Sequence, residues 1–193
     1  MNTLMETLND FIKVHLFDVT NDYYAIPVFI WFIASLCILV YYTKKDLEYR
    51  RVDNIVPLLI FLIPTAFCGY AIYGFTSNFL VGFLTLLLYF YLSQVYHEIT
   101  YNRNKPEDKH IVAVGIPDTL LAPLCTVWFG WGVIFYLAFL NISFRVIEIP
   151  AIHNLVKSLY RGNNKQLAKS IPLLPCMLSS YLVFLVIYFT VRR

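Results

Sequence analysis

Apolar residues in this chain come in long runs separated by short polar stretches. Six runs are near the length that crosses a bilayer, about 20 residues as a helix. They cover residues 26–42, 55–73, 79–96, 111–129, 131–149 and 171–190. The pattern predicts an all-α, polytopic membrane protein with six transmembrane helices. Pro57 and Pro64 predict a kinked second helix. The uncharged stretch 74–78 is short enough to make the second and third helices antiparallel neighbours. Gly130 and Gly132 mark a second tight turn. Ahead of the first run, Leu4, Leu8, Phe11 and Ile12 recur at helical spacing. Residues 1–25 therefore read either as an extension with a short amphipathic helix on the membrane surface or as a loose acidic tail. Residues 26–193 form the membrane domain.

The fourth run, IVAVGIPDTLLAPLCTVWF, is broken in its middle by Gly115, Pro117 and the carboxylate Asp118. Glycine and proline there interrupt a helix. An ionisable group at membrane depth is costly and usually serves function. The pattern predicts that Asp118 starts a short half-helix facing a polar cavity. The plainer reading is a helix N-cap, the commonest use of an aspartate after a proline. One helical face from Asp118 carries the small residues Ala122 and Cys125, which leave space beside the carboxylate or allow close packing.

Composition agrees with the pattern. Of 193 residues, 59% are hydrophobic and 14% charged, against about 25% charged in soluble domains. A net charge of +3, without a basic patch interleaved with aromatics, gives no case for nucleic acid as a partner. The acidic start, with Glu6, Asp10, Asp18 and Asp22 against Lys13, is unlike a secretory signal. Cys37, Cys68, Cys125 and Cys176 stand singly in apolar runs and read as buried packing residues. His15, His97, His110 and His153 are dispersed. No metal or organic cofactor is expected. The tyrosines and phenylalanines read mostly as lipid-facing and interface residues.

Charge also orients the chain. Loops 43–54, 97–110 and 150–170 share one side of a six-span bundle and carry eleven of the fifteen lysines and arginines. The positive-inside bias puts these loops in the cytoplasm and both termini outside. Asp46, just past the first run, and Asp118, in the run entered from the same side, then approach one another at the cytoplasmic face. Two carboxylates a few ångströms apart share a proton. One can activate water while the other hydrogen-bonds a scissile carbonyl, which is aspartyl-protease chemistry. Taken alone, Asp46 is also one charge in a solvated juxtamembrane cluster with Lys44, Lys45, Arg50 and Arg51. Asp53, seven residues on, is the rival for its place.

The stretch DLEYRRVDN, from Asp46 to Asn54, resembles the first motif of type IV prepilin peptidases and archaeal preflagellin peptidases through Asp46, Leu47, Arg50, Val52 and Asn54. Asp53 stands where that motif carries proline. The sequence Gly115, Ile116, Pro117, Asp118 resembles the family's GxGD motif, with Pro117 in place of the second glycine. The opening IPLLP of the last run, with Pro172 and Pro175, is similar to the family's proline-containing last helix. The resemblance covers roughly residues 26–190. It implies a membrane aspartyl endopeptidase with Asp46 and Asp118 as the catalytic pair. Its substrate would be a prepilin-like or preflagellin-like signal peptide, cut at the cytoplasmic face of the plasma membrane. The paired CxxC motifs that accompany N-methyltransferase activity in many bacterial members are absent, so peptidase activity alone is expected. Two other readings stay open: a small ion- or proton-coupled transporter, and an assembly protein that keeps the fold without activity.

Overall fold

The computed structural model describes residues 4–7, 10–11, 24–50, 56–74, 77–103, 116–128, 132–163 and 171–191. Among these the regular structure is helical and no strand occurs. Residues 4–7 and 10–11 are helical and exposed. Seven helices follow: α1 (Ala25–Tyr49), α2 (Val56–Tyr73), α3 (Ser77–His97), α4 (Ile116–Thr126), α5 (Val133–Glu148), α6 (Pro150–Ser158) and α7 (Leu173–Val191). A π-helical turn, Glu98–Asn102, continues α3.

Among the described residues three helices, α1, α2 and α7, are long and apolar enough to cross a membrane. A fourth span is added if α5 and α6, bent by 84° at their junction, count as one. Lipid explains why so many large side chains point outward. Ile30, Ile33, Val40 and Tyr41 form an exposed stripe on α1, and Leu59, Ile60, Ile63 and Phe67 another on α2. Cys37 belongs to the α1 stripe and is exposed, which corrects its reading as a buried packing residue; Cys68, Cys125 and Cys176 are buried.

The helices form a ring around a centre. Neighbours run α1, α2, α3, α5, α7 and back to α1. The short α4 stands inside, packed on α1, α2, α3 and α7, with Cys125 hydrogen-bonded to Tyr136 of α5. Leu121, Ala122, Leu124, Cys125, Val127 and Trp128 are accordingly buried. At eleven residues α4 is about 16 Å long, half the thickness of a bilayer core of about 30 Å.

Hydroxylated residues bond across the seams between the ring helices, as they do between membrane-spanning helices. On the α5–α7 seam, the Ser143 and Ser180 hydroxyls lie 3.0 Å apart and Ser179 donates to Ser143 at 3.1 Å. Between α1 and α2, Trp31 donates to Thr65 at 3.2 Å. The Thr65 hydroxyl in turn bonds the Phe61 carbonyl, one residue along from the carbonyl that Pro64 cannot reach. Gly74, with φ of 62°, ends α2 by donating its N–H to Tyr70 at 2.7 Å; only glycine takes that conformation without cost. Tyr136 and Tyr181 are fully buried, so the aromatic residues serve the core as well as the lipid face.

Two expected boundaries are corrected. The first run was expected to end its helix at residue 42, with Asp46 beyond it, but α1 continues to Tyr49. Lys44, Lys45, Leu47 and Glu48 are good helix formers, and no glycine or proline stops them. The basic loop 150–170 contains α6, which begins with Pro150 at its first position, where the missing N–H costs nothing.

Candidate functional site

Asp46 occupies the last turn of α1, where its carboxylate is held by another helix. The two prolines of IPLLP leave few donors at the start of α7: Pro172 and Pro175 have no N–H, so Leu173 and Leu174 carry the free amides. Leu174 donates to Asp46 Oδ2 at 3.0 Å, and the Leu173 N–H also bonds the carboxylate. Asp46 is thus an N-cap supplied from a different helix, 128 residues away in sequence, and it sits at the positive end of the α7 dipole. One turn earlier, Thr43 donates to the Leu174 carbonyl at 3.4 Å. On another face of α1 Lys45 lies over the rings of Tyr41 and Tyr49, 5.9 and 5.4 Å from their centroids.

Asp118 lies in the first turn of α4, which starts at Ile116, two residues before the expected position. Pro117 explains the early start: its fixed φ suits a first helical turn and its absent N–H is not needed there. The side chain is partly exposed, and a carboxylate in this turn is favoured by the helix dipole. Gly115 and the residues before it, like Asp53 and Asn54, lie outside the described residues.

Two contacts set α4 against its neighbours. Trp128, just past the last residue of α4, meets Phe32 of α1 edge-on, with centroids 5.3 Å apart. Tyr136 of α5 bonds both Cys125 and the Met177 carbonyl of α7. Asp46 and Asp118 thus stand on helices that pack on each other, whose axes are typically about 8–10 Å apart.

Arg50 completes the end of α1. Its Nη1 donates to the Asp46 and Leu47 carbonyls at 2.7 and 2.8 Å, and its Nη2 to Val156 of α6 at 3.2 Å. Burial lowers its pKa from the ordinary arginine value, while Asp46 and the Tyr160 phenol pull it back up. The pattern of charges around residue 46 did not reveal this role, because a basic cluster and a capping arginine look alike in sequence. The signal for the Asp46 partner was present in the spacing of Pro172 and Pro175. Among the described residues no group of histidine, cysteine, aspartate and glutamate has the arrangement to hold a metal ion. Comparison with protein families, curated proteins and solved structures finds no match to this chain.

Proposed function

We propose that the protein is a membrane aspartyl endopeptidase of the prepilin and preflagellin peptidase type, with Asp46 and Asp118 as its catalytic pair. The observation that supports the reading is that Asp46 and Asp118 stand on helices that pack on each other, α1 and α4. In this reading water reaches the pair beside the first turn of α4, where Asp118 is partly exposed. The frame is six spans with a broken fourth segment, in the plasma membrane, with the basic loops and the active end in the cytoplasm.

In the mechanism the pair shares one proton. The ionised carboxylate takes a proton from water, and the hydroxide attacks the scissile carbonyl carbon. The protonated partner donates to the carbonyl oxygen, and the leaving amine collects a proton as the C–N bond breaks. The N–H groups of Leu173 and Leu174 orient the Asp46 carboxylate, which is the preorganisation such a step needs. Arg50 and Thr43 fix the turn that carries it. The substrate is a prepilin-like segment cut just before its hydrophobic stretch, where the membrane delivers the bond to the cytoplasmic end.

The test is cleavage of a synthetic prepilin-like segment by the protein in lipid vesicles. Asp46→Asn and Asp118→Asn should each insert and fold but lose cleavage by at least about a thousandfold, the scale of losing an acid–base group together with its positioning. Retained cleavage in either variant contradicts the pair. Ion-coupled uptake that needs Asp118 but tolerates Asp46→Asn would replace the peptidase reading with a transporter.

A further inference from the structure

Among the described residues Arg50 is the one non-glycine residue with positive φ, at 57°. The left-handed conformation costs an L-residue about 1–2 kcal/mol, and glycine is the usual choice at a helix end. The side chain explains why an arginine stands there. A helix ends with carbonyls that have no partner within it. At the end of α1, Asp46 receives the Arg50 backbone N–H at 2.9 Å and its guanidinium at 2.7 Å. Leu47 receives the same guanidinium. Glu48 receives the backbone N–H of Arg161 at 2.7 Å, and the two side chains approach to 3.6 Å.

These contacts reach a separate element. The Arg50 Nη2 bonds Val156 in the last turn of α6, and the guanidinium lies over the Tyr160 ring, 5.8 Å from its centroid. Since α6 turns 84° away from α5, the segment Val156–Arg161 runs as a strap across the end of α1. One turn back from the knot, the Asp46 carboxylate sits on the amides of Leu173 and Leu174.

We propose that Arg50 is a positioning residue: with Tyr160 and Val156 it straps the last turn of α1 to α6 and so fixes the level of Asp46 against the start of α7. The proposal rests on the peptidase reading for its catalytic consequence, but not for its structural one. A lysine replaces the arginine only in part, because it lacks the fork that bonds two helices at once.

The test is Arg50→Gly, which suits the left-handed backbone and deletes the guanidinium, with Arg50→Lys as the conservative variant. The full-length protein in vesicles is followed by hydrogen exchange and by cleavage. In a fragment spanning 171–175 only the amides of Leu173 and Leu174 report, because residues 172 and 175 are prolines. Arg50→Gly should keep the wild-type unfolding midpoint yet lose protection at these two amides. Its kcat should fall about a hundredfold, the scale of a displacement of about 1 Å, with KM nearly unchanged. Arg50→Lys should fall between the two. Wild-type protection in Arg50→Gly, or wild-type kcat, overturns the proposal. If the wild-type protein cleaves nothing, the peptidase reading fails, and the exchange result alone decides whether Arg50 holds Asp46.

Discussion

The carboxylate of Asp46 faces two amides of α7, and this contact lets capping and catalysis be separated by experiment. Alanine at position 46 strands two donors at the start of a buried helix end, which should cost about 1–3 kcal/mol in an unfolding titration in mixed micelles. Asparagine keeps an acceptor oxygen, so Asp46→Asn should cost less than half as much. Equal losses would mean that a neutral acceptor oxygen at position 46 does not serve the cap, and no loss in either would mean that the cap contributes nothing to stability. Sequence alone revealed Asp46 and Asp118 as the carboxylates to watch, through their neighbours in the chain. It did not reveal the partner of Asp46, because hydrogen bonds between residues so far apart leave no periodic trace. Pro172 and Pro175 were the nearest clue, since two missing amides single out the two that remain. Cys37 was misread for a related reason: an apolar run does not tell which face meets lipid, and the stripe through Ile30 and Ile33 does.

The elements themselves were largely legible. The expected segments 55–73, 79–96, 131–149 and 171–190 each lie within two residues of the observed helix at both ends, because apolar length and flanking turn residues define them. The errors came from charge. Lys44, Lys45 and Glu48 in the last turns of α1 were taken as loop, although they favour helix, and the basic loop concealed α6 behind its cations. The role of α4 as the centre of the ring was not visible either. A short run of apolar residues reads the same whether it faces lipid or other helices. Its burial gives a direct check at Ala122, which is fully enclosed. Ala122→Leu should destabilise the protein by about 1–3 kcal/mol through overpacking. A neutral effect on the unfolding midpoint would mean that α4 is less tightly surrounded than its contacts indicate.

At the scale of the whole molecule, a ring of α1, α2, α3, α5 and α7 encloses a half-length helix. The end of α1 gathers Asp46, Arg50, the α6 strap and the start of α7. The proposed chemistry needs water at the carboxylates, and Asp118 is partly exposed. Everything in the proposed reaction depends on the convergence of Asp46 and Asp118. The most direct measurement is therefore crosslinking of Asp46→Cys/Asp118→Cys in a chain whose four native cysteines have been replaced, with bis-thiol reagents of graded length in native vesicles. The account predicts rapid crosslinking by a reagent no longer than two helical turns, about 11 Å, from the side of the basic loops. Crosslinking that needs much longer reagents, or that fails while single-cysteine controls label normally, would contradict it.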